Sequence, residues 1–399
     1  MDSKRRNLLK VTAASVGMAP LMVRQSLSQV LDPDVAERGL YPAKGLPGGG
    51  QMEVRMMLEN ERDPDLTEIE HRLKPFNPES WYAEHSHAAE KNEERAEKHL
   101  AQGNKVTAAE YTLRAAGFWR SAIIYLAESD ERMMKGYARL KQNFDKTFTL
   151  IPPPFERVQI PFEGKVLHGF FYPARAPQGK KAPVVFNYGG ADGLLMNGRA
   201  DGGSAQYRAR GISFIDVDGP GQGGALRVDK IYASADTERY AKAVVDYLLT
   251  RNDVDADRIG IHGSSMGGYT APRACTVEKR FAACAVWSGA YSLQQDIFDY
   301  YPPIRERLRW LMGAKNFEEA RKMMADYTLE GRADKITCPL LVGYSIDDRV
   351  MDPRGALKLY QNAVNAKPKE MLDGVGHGKR TFETRTYIAD WFAKQLGTA

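Results

Sequence analysis

One serine-centred turn constrains this chain more than any other segment. Residues 263–267 read Gly-Ser-Ser-Met-Gly, a G-x-S-x-G pattern in one register only, directly after a strand-like run at 258–262. Such a pattern places a serine on a tight strand-to-helix turn, with its hydroxyl lifted out of the sheet. Ser264 lacks glycines two residues to either side, so Ser265 is the candidate nucleophile. Because the chain holds 36 glycines, the pentapeptide alone is weak evidence for a nucleophile. The assignment therefore depends on whether suitable partner residues follow downstream.

The partners that a serine nucleophile needs follow in the expected order. An apolar run at 339–344 predicts a buried parallel strand, and it ends in a loop that carries Asp347 and Asp348. A further strand-like run leads to His377 in a glycine-rich loop. A serine hydroxyl needs a histidine to take its proton and a carboxylate to hold that histidine's tautomer. The order therefore predicts a Ser-Asp-His triad with Ser265 and His377.

Strand-like and helical segments alternate through the rest of this region. Eight strand-like runs are found at 157–161, 165–172, 183–188, 212–216, 258–262, 282–287, 339–344 and 369–372. Alternation with amphipathic helices predicts a mostly parallel sheet covered on both faces. The fold class is thus α/β, and the eight-stranded sheet resembles the α/β-hydrolase fold.

The turn after the third strand is a candidate for part of an oxyanion hole. In such a fold, one donor is the backbone N–H that follows the nucleophile, here Met266, and the other comes from the loop after the third strand. Gly190 and Ala191 both qualify, and the sequence does not distinguish them. The alternative is a plain glycine turn.

The first residues differ from the rest of the chain. Arg5 and Arg6, followed by an apolar stretch, resemble a twin-arginine export signal. This predicts a periplasmic or secreted protein; the alternative is a basic N-terminus on a cytoplasmic protein. The predicted divisions are 1–30 for the signal segment, 31–50 for a linker, 51–150 for an all-helical N-terminal cap domain and 151–399 for the catalytic domain, with a lid insertion at about 290–335.

Composition narrows the classes of partner. The net charge of +5 is modest, and acidic residues are interleaved with basic ones, as at 92–98, which predicts a solvated helix face and no nucleic-acid binding. No H-E-x-x-H or C-x-x-C occurs, so we expect no metal and no cofactor. The apolar N-terminal stretch is too short for stable membrane insertion. The three cysteines are expected to be buried hydrophobes, and a homodimer is left open.

The helical region makes the resemblance more specific. Trp81, a helix break at Gly103 and the run Ala-Ala-Gly-Phe-Trp at 115–119 precede a proline-rich joint, an N-Y-G-G-A-D-G strand end and a D-G-P-G-Q-G turn. Together these resemble the α/β-hydrolases that include dihydroxypseudooxynicotine hydrolase, the fungal polyketide-shortening hydrolases and the fermentation–respiration switch protein. The resemblance implies that the helical part caps the substrate site. It also implies that Asp347 is the triad acid, from an Asp-x-x-Val pattern.

The expected activity is that of a serine hydrolase that forms an acyl-enzyme with a small, aromatic or polyketide-like acyl compound. The bond is an ester or an activated carbon–carbon bond. The chain after the sixth strand offers a possible substrate pocket, with Asp296 as an extra acid–base group beside Tyr291, Phe298 and Tyr300. The alternative there is that Asp296 caps a helix and the tyrosines pack the lid. The alternative functions are a non-catalytic binding or regulatory protein and a peptidase related to prolyl oligopeptidases.

Overall fold

The computed structural model describes residues 63–75, 77–175, 179–377 and 381–398. The chain divides into two compact units. One takes the described residues up to Leu126 together with Lys135–Asn143, and the other takes Ala127–Met134 and the chain from Phe144 onward. The predicted signal segment, with Arg5 and Arg6, and the predicted linker lie outside the described residues.

The N-terminal region is helical, as the sequence predicts. Its helices are α1 (Pro64–Arg72), α2 (Pro78–Ala101), α3 (Lys105–Ala122) and α4 (Glu131–Leu150). Asp63 and Asn77 cap the first two, each accepting a backbone N–H with its side chain. Gly103 has a φ of +80° between α2 and α3, which confirms the predicted break. A role for this region as a cap stays a prediction.

A buried charge cluster joins three of these helices. Asp65 on α1 is only 1% exposed, and its carboxylate accepts hydrogen bonds from Asn92, Arg95 and Arg114. The prediction of a solvated face at 92–98 is therefore wrong for Asn92, which is fully buried. Asn92 is buried because its side-chain amide donates to the carboxylate of Asp65 on another helix, and the charge pattern at 92–98 does not report this contact.

The second unit is built on an eight-stranded sheet. Its strands are β1 (Glu156–Phe162), β2 (Lys165–Tyr172), β3 (Ala182–Tyr188), β4 (Ser213–Val217), β5 (Val254–Ser264), β6 (Phe281–Trp287), β7 (Leu340–Tyr344) and β8 (Lys369–Asp373). Their spatial order is β1-β2-β4-β3-β5-β6-β7-β8. The β1–β2 and β2–β4 pairs are antiparallel and all others are parallel. This confirms the predicted α/β-hydrolase fold.

Helices and short turns connect the strands. They are α5 (Ala205–Arg208), α6 (Gly223–Arg227), α7 (Thr237–Leu249), α8 (Gly267–Cys275), α9 (Arg305–Leu311), α10 (Phe317–Met324), α11 (Pro353–Asn362) and α12 (Phe382–Gln395). Strand β3 is buried along its whole length, as expected for a parallel strand covered on both faces. The carboxyl ends of β3, β5, β6 and β7 meet at one edge of the sheet, where the predicted site residues follow.

The segment between β6 and β7 holds a π-helix at Gln294–Asp299, a 3₁₀ turn at Pro302–Ile304 and then α9 and α10. Among the residues that the structure describes, no helix is both long and apolar enough to span a bilayer.

Candidate active site

Ser265 lies on a sharp turn between β5 and α8. Its φ is +58°, a left-handed conformation that costs a residue with a β-carbon about 1 kcal/mol. The N–H of Ser265 donates to the carbonyl of Trp287 at 3.1 Å, and its own carbonyl accepts from Gly268 at 2.6 Å. These bonds hold the strained residue at the end of the strand.

The flanking glycines are required by close backbone approach. A β-carbon on Gly263 would overlap the carbonyl oxygen of Gly267, and one on Gly267 would overlap that of Tyr188. Any larger residue would force the helix away from the neighbouring strand. The G-x-S-x-G pattern thus has the physical cause that the sequence indicates.

Three side chains form a continuous hydrogen-bonded chain. The Oγ of Ser265 lies 3.0 Å from Nε2 of His377. Nδ1 of His377 lies 2.9 and 3.0 Å from the two carboxylate oxygens of Asp348. With Nδ1–H donating to the carboxylate, Nε2 presents a lone pair to the serine hydroxyl. This arrangement is suited to removing the proton of Ser265.

The prediction that Asp347 contacts the histidine is wrong. Asp347 is exposed, and its carboxylate accepts hydrogen bonds from the hydroxyl of Ser345 and from the N–H of Gly376 at 2.8 Å. It therefore braces the loop before His377. The chain turns between the two acids, because Asp348 N–H donates back to Ser345, and this turn sends only the second side chain inward.

Asp348 is held by several donors. Its side chain is 2% exposed, and it accepts from the hydroxyl of Ser288 and from the N–H groups of Val350 and Met351, each at 2.9 Å. Burial alone would raise the pKa of Asp348, but the hydrogen bonds from His377, Met351 and Val350 lower it below its ordinary value. The carboxylate is thus ionised at neutral pH.

Gly190 lies beside the serine, at the end of β3. A β-carbon built on Gly190 would be 3.1 Å from the Cβ of Ser265 and 3.6 Å from its Oγ. Ala191 follows in the same turn, which Gly193 N–H closes on the carbonyl of Gly190 at 3.0 Å. Met266 is buried at the N-terminus of α8. Of the three residues named as oxyanion-hole candidates, Met266 follows Ser265 in the chain and Gly190 lies against its side chain, while Ala191 is the next residue of the Gly190 turn.

Asp296 does not face an open pocket. It is 6% exposed, and its carboxylate accepts the N–H groups of Tyr291 and Ser292 at 2.7 and 2.9 Å. Burial raises the pKa of Asp296, while these two hydrogen bonds act in the opposite direction. These contacts do not fit a substrate-facing carboxylate. They do not match the capping alternative either, because Asp296 lies inside the π-helix at Gln294–Asp299, which has no side-chain cap, and the two N–H groups that it binds precede that helix.

The three aromatic residues of the predicted pocket divide into two groups. Tyr291 and Phe298 are 3% and 2% exposed and belong to the core. Tyr300 is 38% exposed, and its hydroxyl donates to the backbone carbonyl of Asp348 at 2.9 Å. Of the four predicted pocket residues, Tyr300 alone combines exposure with a contact to the Asp348 loop.

Two polar residues of the site carry no role in the sequence interpretation. Ser288 directly follows β6, which lies between the strands that end at Ser264 and Tyr344. This position at the carboxyl end of a central strand is the sequence feature that could have indicated a role for Ser288 in the site. Gln222 lies in the D-G-P-G-Q-G turn, where its Nε2 contacts the carbonyls of both Gly189 and Gly190 at 2.8 Å. No group of three or more metal-ligating side chains is found in the described part of the chain.

Comparison with known proteins gives relatives that are hydrolases. The model of the prolyl oligopeptidase family matches residues 204–398. The 2,6-dihydropseudooxynicotine hydrolase of Paenarthrobacter nicotinovorans is 29% identical over 304 residues, which cover 74% of this chain and 78% of that protein. The 20-hydroxy-prefusarin hydrolase of Gibberella moniliformis is 32% identical over 232 residues, or 56% of this chain and 55% of the relative.

A solved structure extends the likeness to most of the chain. The crystal structure of 2,6-dihydroxy-pseudo-oxynicotine hydrolase aligns with a TM-score of 0.71 and 26% identity, covering 86% of this chain and 95% of that one. The resemblance predicted from the motifs is confirmed.

Proposed function

Because this chain is an enzyme of the α/β-hydrolase family, we propose that it is a serine hydrolase in which Ser265, His377 and Asp348 form the catalytic triad. The observation that carries the proposal is the unbroken hydrogen-bonded chain from the Ser265 hydroxyl to the buried carboxylate. The substrate we propose is a small, aromatic or polyketide-like acyl compound.

The reaction follows from the roles of these groups. Nε2 of His377 takes the proton of Ser265 as its Oγ attacks the acyl carbon, and Asp348 stabilises the imidazolium that forms. The N–H of Met266 and that of Gly190 or Ala191 would stabilise the negative oxygen of the tetrahedral intermediate. His377 then protonates the leaving group, and water releases the acyl group from Ser265 by the same steps in reverse.

The bond that breaks is proposed to be an ester. Carbon–carbon cleavage needs a group that protonates the carbanion as it leaves. The sequence offers Asp296 for that step, but its carboxylate is buried and held by two backbone N–H groups. An alkoxide can take its proton from His377 alone, so ester hydrolysis requires no further residue.

A peptidase is the second candidate, since the prolyl oligopeptidase family model matches residues 204–398. Aryl esters, aromatic 1,3-diketones and peptide anilides, assayed side by side, separate the three reactions. A preference for the ester by at least tenfold in kcat/KM would support the proposal. A preference for the anilide would instead favour a peptidase.

The nucleophile is tested with a fluorophosphonate probe. We expect wild-type protein to be labelled at Ser265, and Ser265→Ala to lose the label and at least about 10⁴-fold in hydrolysis, because triad members act as a unit. Ser264→Ala is the matched control, with the adjacent hydroxyl removed, and should keep labelling. Full labelling of Ser265→Ala would show that the serine is misassigned.

A further inference from the structure

We propose that Gln222 is a positioning residue that orients the two candidate backbone donors of the oxyanion hole. The inference rests on the proposed function and extends it to a residue that touches neither the nucleophile nor the histidine. It begins from one side-chain amide that contacts two consecutive peptide groups.

The contacts of Gln222 fit a primary amide. Its Nε2 lies 2.8 Å from the carbonyl oxygen of Gly189 and 2.8 Å from that of Gly190. A primary amide has two N–H groups, so each carbonyl receives one hydrogen. The residue is 2% exposed, and a β-carbon on Gly193 would lie only 2.7 Å from Nε2. The glutamine is therefore confined to this position by packing.

The direction of the N–H groups follows from peptide geometry. In a trans peptide the C=O and the N–H of one plane point in opposite directions. The carbonyl of Gly189 shares its plane with the N–H of Gly190, and the carbonyl of Gly190 shares its plane with the N–H of Ala191. With both carbonyls turned toward Gln222, both N–H groups point away from it. Gly190 itself lies against the Ser265 side chain.

The turn that carries Gln222 is tied to the turn that it orients. Gly223 N–H donates to the carbonyl of Gly193 at 3.0 Å. The buried carboxylate of Asp218 accepts from Leu195 N–H at 2.9 Å and from Gly224 N–H at 2.8 Å, so it bridges the two segments. Burial raises the pKa of Asp218, while these two N–H groups act in the opposite direction. These hydrogen bonds thus fix the turn that carries Gln222 relative to the turn that carries Gly189 and Gly190.

This orientation has an electrostatic consequence. A carbonyl that rotated toward Ser265 would meet the developing oxyanion with its negative end, and an N–H would be lost at the same time. Removing one oxyanion-hole donor typically costs about 10²–10³-fold in kcat. Because Gln222 orients donors without being one, we expect its loss to lower kcat by about 10- to 100-fold.

The test compares Gln222→Leu and Gln222→Glu with Asn365→Leu. Leucine and glutamate have nearly the size of glutamine but lack its two N–H groups. The side-chain N–H of Asn365 donates to the carbonyl of Asp334 at 2.8 Å. Asn365 precedes the amino end of β8, whereas Ser265 lies at the carboxyl ends of the parallel strands. The variants are assayed for kcat and KM on an aryl ester and for affinity toward a trifluoromethyl ketone, which adds the Ser265 oxygen to form an oxyanion.

We expect kcat and the ketone affinity of both Gln222 variants to fall by the same factor, with KM and the pH at which activity is half-maximal unchanged. Asn365→Leu should change none of these. If the leucine variant does not fold, the glutamate variant carries the test. A fall in melting temperature alone, with kcat and ketone affinity intact, would overturn the positioning role, and so would a rise in KM alone. Failure of the proposed function looks different, because the wild-type protein itself would then not bind the ketone.

Discussion

At the scale of single residues, the charge of Asp348 depends on its donors. In the folded protein its pKa lies below the ordinary value, since hydrogen bonds outweigh the effect of burial. A lowered folded pKa means that the carboxylate stabilises the fold above its unfolded pKa of about 3.9. This contribution is lost as the pH falls through the folded pKa. Acid should therefore weaken the Asp348–His377 contact only below about pH 4.

The two neighbouring acids give a matched pair of variants. Asp348→Asn should lower kcat by about 10⁴-fold, because an amide in that position favours the wrong histidine tautomer. Asp347→Asn should cost less than about tenfold, since an amide oxygen can still accept from Ser345 and Gly376. Steady-state kinetics at pH 7, with melting temperatures as the control for folding, measures both. Equal losses in the two variants would contradict the assignment of Asp348.

At the scale of elements, Asp65 couples α1 to α2 and α3. Burial alone would raise its pKa, but hydrogen bonds from Asn92, Arg95 and Arg114 lower it. Because the folded pKa is below the unfolded one, its contribution is present at neutral pH and lost as the pH falls through the folded value. The helical region thus contains an ionic cluster whose partners lie on separate helices.

Removing this charge should destabilise the helical region. Asp65→Asn removes the carboxylate partner of Arg95, while Arg114 keeps its pair with Asp63. Because the two guanidinium groups are 36% and 37% exposed, we expect a loss of about 2 kcal/mol in the free energy of unfolding. Glu68→Gln is the control, because the Glu68–Lys91 pair is partly exposed, with side chains 31% and 28% accessible, and should cost under about 1 kcal/mol. Urea titration at pH 7 measures both. Similar losses in the two variants would show that the burial of Asp65 does not increase its contribution to the free energy of unfolding.

At the scale of the whole molecule, patterns local in the sequence were predictable and contacts between distant turns were not. The eight strands and the elbow follow from alternation and from glycines that close approach requires. The choice between Asp347 and Asp348 depends on the turn that begins at Ser345. The side chains of these two adjacent residues point in different directions, so an error of one residue exchanges their roles. Ser288 and Gln222 act across 60 residues and 32 or 33 residues of sequence, so no local pattern reports their contacts. Asp296 failed as a pocket residue because its partners are backbone groups, which every sequence has.

The thiols bear on where the protein is found. The cysteines Cys275, Cys284 and Cys338 are free; the first two are buried as predicted, whereas the prediction is wrong for Cys338, which is partly exposed. Burial raises the pKa of Cys275 and of Cys284, and for Cys338 a hydrogen bond with Cys275 and burial both raise it. The thiolate is the form that reacts with oxidants. A folded chain of this kind should thus keep its thiols reduced outside the cytoplasm, and the twin-arginine route carries proteins that are already folded.

We therefore propose export through the Arg5-Arg6 signal and predict two linked outcomes. Cell fractionation should find the protein outside the cytoplasm, with the buried thiols of Cys275 and Cys284 reacting with a thiol reagent only in denaturant. The double substitution Arg5→Lys with Arg6→Lys should retain it inside, because the signal depends on the paired guanidinium groups, whereas Lys4→Arg, which keeps that pair, should be exported as before. Unchanged fractionation of the double variant would make the N-terminus an ordinary basic tail. A disulfide among the three cysteines of the exported protein would show that it crosses the membrane before its core has formed.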